Sequence, residues 1–351
     1  MKKYVVPGCL AGLLVLSGCS NFSYYSQAII GHLSIQVNLE PVADIIADSD
    51  TPAELKTQLE KVVEIRAYAS EQLSLPDNTS YTSYTDLKRP YVLWNVVAAP
   101  EFSLEPRQWC FPFAGCVQYR GYYAEEDAQA FATELNQKGD DIYVGGVAAY
   151  STLGWFADPM LNTILFRDDV SLAGLVFHEL AHQQLYVKND SAFNEGFAKT
   201  VEIEGVRRWL AIHGTQDLME AYEAKKKRQN AFIKLVAKTS DELKILYLSD
   251  MEKQKQREKK AEIFAEMRNQ YHRLKASWDD YAGYDKWFEK DINNAQIAAV
   301  NTYRDYVPAF QILLKQQEGN LAEFYKAAAK LGDLPKDQRS KALTALLQAY
   351  P

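Results

Sequence analysis

The chain reads as an α+β protein: a small, mainly antiparallel sheet, then a pair of motif-bearing helices, then a largely helical C-terminal half. Three observations predict this. Short β-branched and aromatic runs, Tyr91–Val97 and Ile142–Ser151, lie in the first half. Apolar Leu172, Leu175, Val176, Leu180, Leu185 and Val187 surround residues 178–182 as in a buried helix. From Thr215 to Trp278 the chain is heavily charged and helix-prone, with Lys and Arg mixed among Glu and Gln, the pattern of solvated helix faces.

The order of elements starts with an address. Lys2 and Lys3 precede an apolar run from Tyr4 to Leu16, and small residues follow, which makes residues 1–18 a secretory signal. The run is too short to serve as a membrane-spanning anchor. The ending Leu16-Ser17-Gly18-Cys19 resembles a bacterial lipobox, in which Cys19 becomes the lipidated first residue. Ser20 in place of an Asp resembles the pattern sorted to the outer membrane. The expectation is a periplasm-facing envelope protein that meets the membrane through a lipid at Cys19. Removal of residues 1–18 leaves 333 residues with 37 Lys+Arg against 46 Asp+Glu, a net charge of −9. That is enough chain for one large or two intimately packed domains, and nothing in it is basic enough for a nucleic-acid partner.

A helical lead-in is expected over 19–75, with apolar Ile29, Ile30, Leu33, Ile35 and Val37, then Leu55, Leu59, Val62, Val63 and Ile65 after a capping-type start at Asp48–Pro52. The turn-rich Pro76–Ser80 opens a core region over 76–213. In it the spacing predicts a strand at Tyr91–Val97, a helix over Tyr122–Leu135, the Gly-rich strand at 142–151 and a neighbouring strand at Leu161–Phe166. Asp168, Asp169 and Ser171 start one helix, Asn189-Asp190-Ser191 make a turn, and a second helix runs from Ala192 to His213. The region 214–351 is helical: a long charged hairpin to Trp278, a further helix after Asn293, and an amphipathic closure from Leu321. Of four cysteines, Cys9 falls in the signal and Cys19 takes the lipid. Cys110 and Cys116 then remain to close a disulfide loop in an oxidising periplasm. A metal reading of that pair lacks a second Cys or His pair nearby.

The chemistry lies in His178-Glu179-Leu180-Ala181-His182, followed by Asn194-Glu195-Gly196-Phe197-Ala198. Two histidines four apart share one face of a helix, and two such imidazoles suit one zinc ion. Glu179 between them is placed to act as general base towards the attacking water. A catalytic zinc takes three protein ligands and keeps one position open, and Glu195 from the second helix is the third. With five His in the chain, the spacing alone arises by chance on the order of once in a hundred sequences. The apolar surroundings and the cost of burying two His and a Glu without a metal favour zinc. Glu202 lies two turns beyond Glu195 on the same face. It is either a partner for a ligand imidazole or an exposed helical carboxylate.

His178–Gln183 followed by Asn194–Glu202 resembles the gluzincin peptidases, especially the zinc aminopeptidases, whose pattern reads HExAHQ and then NEGFAxxxE. The connection from His182 to Glu195 is shorter than in the large aminopeptidases. The flanking Gly145–Phe166 and Thr302–Leu314 segments extend the resemblance to a family of predicted aminopeptidases found as bacterial lipoproteins. That resemblance implies a thermolysin-like packing of the sheet on the zinc helices, one Zn2+ per chain on His178, His182 and Glu195, and Glu179 as catalytic base. It implies an edge strand at Gly145, Gly146, Val147 and Ala148 that pairs with an extended peptide substrate; a plain bulged strand is the alternative there. It also implies a C-terminal Tyr or His that stabilises the oxyanion, with Tyr303 favoured over Tyr306 and His272. The large aminopeptidases hold the substrate's amino end with a Glu near this strand, whereas no acidic residue lies between Tyr143 and Trp155. An endopeptidase of the same class is therefore an alternative. A non-catalytic envelope protein with a zinc site is the second, although it would leave Glu179 idle.

Overall fold

The computed structural model describes residues 11–111, 115–149, 152, 156–301 and 306–349, with side chains from Ser23 onward and excepting those of Asn301 and Ala349. In chain order the elements are α1 (Ala11–Gln36), β1 (Glu40–Pro41), α2 (Val42–Ala47), α3 (Ala53–Glu71), β2 (Ser83–Thr85), β3 (Leu93–Pro100), β4 (Trp109–Phe111), β5 (Gly115–Val117), β6 (Arg120–Tyr122), α4 (Glu125–Gln137), β7 (Asp140–Val147) and β8 (Met160–Leu161). They continue with α5 (Asn162–Leu165), α6 (Asp169–Gln184), α7 (Ser191–His213), α8 (Gln216–Tyr247), α9 (Lys253–Ala276), α10 (Asp285–Glu289), α11 (Asn294–Asn301), α12 (Val307–Gln316), α13 (Leu321–Gly332) and α14 (Lys336–Ala349). The fold is α+β and mostly helical. No helix among the described residues is long and apolar enough to cross a membrane.

The strands form three small sheets. β6-β3-β7 is antiparallel throughout, β4 pairs β5 antiparallel, and β1-β2-β8 is mixed because β2 and β8 run parallel. The long β3–β7 ladder follows from alternation in β3. Trp94, Val96 and Ala98 face α4, and Val97 and Ala99 face α11.

The two motif helices are at the centre. Asp168 caps α6 by accepting the Ser171 N–H at 2.8 Å, and Asp190 caps α7 by accepting that of Phe193 at 3.2 Å. The helices cross closely because each offers a glycine at the contact. A Cβ on Gly205 would stand 2.7 Å from the Phe177 ring, and one on Gly174 would stand 3.1 Å from Val206. Phe177, Phe193, Phe197, Phe310 and Phe324 are fully buried in a core drawn from residues as far apart as Ile35 and Leu343. The α8–α9 hairpin has its own cluster around Val236, Leu243, Met267 and Tyr271. It is tied to the sheet by Lys260 on Asp141 at 2.6 Å and Arg257 on Glu101 at 2.6 Å.

Three expectations are corrected. Leu161–Phe166 is not a strand: β8 ends at Leu161 and α5 follows. Asn162 takes the neighbouring backbone partners with its side chain, accepting from Leu87 N at 2.8 Å and donating to Arg89 O at 3.3 Å. A short apolar run does not by its period distinguish strand from helix. The lead-in is not helical throughout, since β1 interrupts it at Glu40–Pro41 before α2. The closure from Leu321 is two helices, broken before Pro335, which cannot continue α13.

Candidate metal centre

α6 and α7 bring His178, His182 and Glu195 together, with one ligand atom from each lying within 4.8 Å of the others. His178 Nε2 is 3.4 Å from Glu195 Oε2, and His182 Nε2 is 3.7 Å from Glu195 Oε1. Donors about 2.0–2.2 Å from a tetrahedral zinc stand about 3.4 Å apart, so the spacing and the N,N,O donor set both fit that ion. The two imidazoles stand edge to face at 4.8 Å. The other nitrogen of His182, Nδ1, is buried without a hydrogen-bond partner among the described residues.

The motif residues around the ligands have individual tasks. Asn194, 2 % exposed, clamps the turn between the helices: its Oδ1 accepts from Val187 N at 2.7 Å and its Nδ2 donates to Val187 O at 2.8 Å. Glu195 is the next residue and inherits that placement. Gly196 makes room for Tyr306, whose Cβ would be 3.0 Å from an added methyl group. Gln183 donates to Asp158 Oδ2 at 3.0 Å and to Ser80 Oγ at 3.2 Å, and accepts from Asn78 Nδ2 at 2.7 Å. It thereby ties two loops to α6.

Glu202 Oε2 lies 3.1 Å from His178 Nδ1, and Lys199 Nζ holds its other oxygen. Burial alone would raise the Glu202 carboxyl, but Lys199 and His178 outweigh it and hold the group at about 2. Burial alone would lower His178, yet Glu195 and Glu202 raise it to about 10. Burial and the neighbouring His178 charge lower His182 to about 4. Glu179 is raised to about 7, first by burial and then by the carboxylates of Glu195 and Asp158, against the opposing charge of His178. Glu179, Glu195, Glu202 and Asp158 thus stand around one imidazolium and the Lys199 ammonium, an excess of acidic groups that would suit a divalent cation.

Two tyrosines absent from the sequence reading also approach. Tyr119, between β5 and β6, is 38 % exposed. Partial burial, followed by the charges of Glu195 and Glu179, raises its pKa. Tyr81, 3 % exposed, has the uncommon φ of 66° and is raised by burial and then by Glu179 and Asp158. Nothing in local sequence separates these two from the other tyrosines of a chain that holds 22. The Cys110–Cys116 disulfide closes the hairpin before Tyr119, and Cys116 N–H donates to Asn189 Oδ1 at 2.8 Å, docking the hairpin on the α6–α7 turn.

Other expected residues fall as follows. Tyr303 lies outside the described residues, and Cys19 lies in α1 among residues whose side chains are not described. Tyr306, at the start of α12, donates to Ser340 Oγ at 2.9 Å and so serves the α12–α14 packing, while His272 lies on α9 beside Tyr271. Gly145, Gly146 and Val147 lie in β7, and Ala148 follows with its carbonyl accepting from Thr163 Oγ1 at 2.6 Å. β7 pairs with β3 on one side only among the described residues. The faces of the strand over its glycines are filled by aromatic rings. An added Cβ would meet the Tyr143 ring at 3.0 Å on Gly145 and the Tyr91 ring at 2.3 Å on Gly146.

A family model described as "Putative aminopeptidase" matches residues 23–343. No curated protein and no solved structure matches the chain.

Proposed function

Since the chain belongs to this aminopeptidase family, we propose that it is a zinc-dependent peptidase that releases residues from the amino end of peptides in the cell envelope. The observation that carries the zinc reading is the convergence of His178, His182 and Glu195 at 3.4 and 3.7 Å, spacings that suit one ion per chain. When bound, zinc supplies Lewis acidity, polarising a carbonyl and lowering the pKa of water.

The chain's own residues do the rest. Glu179, raised to about 7 by burial, accepts the proton of the attacking water and passes it to the departing amine. Glu202 holds the His178 ring through Nδ1 so that Nε2 faces the ion. Tyr119 donates its hydroxyl hydrogen to the carbonyl oxygen as negative charge develops there. The free edge of β7 takes the peptide as an added strand.

Beyond Glu195 and Glu202, the acid whose charge reaches Glu179 is Asp158, the residue that an aminopeptidase reading would assign to the substrate ammonium. The endopeptidase alternative draws on the same residue. Asp158 is 2 % exposed and already accepts from Thr152 N at 3.0 Å and Gln183 Nε2 at 3.0 Å.

Envelope placement and lipidation at Cys19 complete the proposal. No charged side chain occurs from Tyr4 to Leu39, and α1 exposes Ile29, Ile30 and Leu33 on one face, as suits a helix lying at a membrane surface. The test is chelation. A zinc-stripped chain should release no amino-terminal residues from a mixed peptide set, and stoichiometric zinc should restore release. Cleavage that persists in chelator contradicts the zinc reading, and internal cuts alone make the chain an endopeptidase.

A further inference from the structure

Among the described residues β7 has one edge paired with β3 and one edge without a strand partner, and the alternation of its backbone sets what that second edge presents. Val147 O accepts from Val92 N at 2.8 Å on the β3 side, whereas Ile142 O accepts from Asn293 Nδ2 at 2.8 Å on the other. The peptide groups of Val144 and Gly146 therefore point outward with those of Ile142. Asn293 and Asn294 close the Asp141 end, where Asn294 N–H donates to Asp141 Oδ2 at 3.0 Å. The rest of the edge borders a cleft of about 880 Å³ that also reaches Gln118 and Tyr119, which follow the Cys110–Cys116 hairpin docked through Cys116 N–H on Asn189 of the α6–α7 turn at 2.8 Å.

The cleft's two walls differ chemically, and they lie on opposite faces of the sheet. Ile142 and Val144 pack with α4, so the α4 wall, with Gln129, Thr133 and Asn136, stands over that face. These three side chains recur at i, i+4 and i+7 on one side of the helix. Tyr143 packs with Val97, Ala99 and the start of α11, so the wall with Phe232, Tyr284 and Trp287 stands over the opposite face. The Phe232 ring stacks on Tyr284 at 4.3 Å and meets Trp287 edge-on at 5.1 Å, which makes a continuous aromatic surface. Tyr143 lies over Gly145 and extends that surface to the strand itself.

A strand added to β7 sends successive side chains to opposite faces. From this geometry we propose that the cleft selects extended peptides whose residues alternate, with large apolar side chains meeting the aromatic wall and uncharged polar ones meeting the α4 wall. Each apolar residue removes its surface from water against Trp287 and Tyr143. Each residue between them finds amide and hydroxyl partners on Gln129, Thr133 and Asn136. A peptide of the same composition in blocks places half of its side chains on the wrong wall. The proposal rests on the peptidase reading above for the role of the β7 edge, and it specifies the substrate class of that site.

The test uses two soluble ten-residue peptides of identical composition, one alternating Leu with Thr or Gln and one with the same residues in two blocks. Hydrolysis by the wild-type chain gives KM, and anisotropy of labelled peptides gives binding to zinc-loaded Glu179→Gln. The alternating peptide should bind about tenfold more tightly and show a correspondingly lower KM, since it sets two or three more Leu side chains against the aromatic wall. Trp287→Ala should erase the preference. Asn136→Leu, a change at an exposed position, should shift it towards peptides apolar at every residue. Equal binding of the two peptides, or no binding of either, overturns the proposal. Hydrolysis without preference overturns it while leaving the peptidase reading intact. Selective binding without hydrolysis supports the cleft and contradicts the peptidase.

Discussion

His178 Nδ1 lies 3.1 Å from Glu202 Oε2, while Nε2 of the same ring faces Glu195 at 3.4 Å. One imidazole therefore has each nitrogen directed by a different carboxylate of α7, and its orientation does not depend on the ion. Replacing Glu202 with Ala should weaken zinc binding by about 10–100-fold, as loss of a partner to a ligand imidazole generally does. Competition with a chromogenic chelator measures it. An unchanged affinity would mean that Glu202 only neutralises Lys199.

Tyr119→Phe keeps the ring and removes the hydroxyl. If that hydroxyl stabilises the developing oxyanion, kcat should fall on the order of 10²-fold with KM and zinc content nearly unchanged. Steady-state kinetics on any peptide that the wild type cleaves will show it. A loss confined to KM would assign Tyr119 to the cleft wall alone.

Arg339 and Asp190 form an ion pair at 2.8 Å with side chains only 5 % and 4 % exposed, and Asp190 is also the cap of α7. Arg339→Ala leaves that charge buried and unpaired, so it should destabilise the fold by about 3–5 kcal/mol. Denaturant unfolding gives the value. A loss below 1 kcal/mol would show that water reaches Asp190.

Glu204 lies between Arg207 at 2.8 Å and Arg208 at 2.7 Å. Burial alone would raise its carboxyl, but the two guanidiniums outweigh burial and lower it. A folded-state pKa below the unfolded value of 4.5 contributes stability that is present above that value and lost as pH falls through the folded one. The wild type should therefore be more stable than Glu204→Gln at pH 7, with the gap closing as pH falls below 4.5. Thermal unfolding of both at a series of pH values tests this, and a gap independent of pH would contradict it.

The local features were readable where chemistry and spacing coincide in sequence. His178, His182 and Glu195 meet because α6 and α7 are adjacent and antiparallel, so their separation along the chain translates directly into space. The helix starts at Asp168 and Asp190 were readable for the same reason, since a cap is a matter of three residues. Tyr119, Tyr81 and Asp158 were not readable as site residues. They arrive from loops about 20–100 residues before the motif, and only the docking of the Cys110–Cys116 hairpin on Asn189 and of Gln183 on Asp158 brings them in. At Gly145 and Gly146 of β7 the close neighbours are the rings of Tyr143 and Tyr91. Absence of a side chain says that something approaches closely, not what approaches.

The most direct measurement is zinc content together with hydrolysis of a mixed peptide library by the chain starting at Ser20, comparing the wild type with Glu179→Gln and resolving product termini. Equal stoichiometric zinc in both, with single residues released from amino ends by the wild type alone, is the predicted result. Zinc-loaded Glu179→Gln with wild-type turnover, or a wild type that binds zinc and cleaves nothing, would contradict the account.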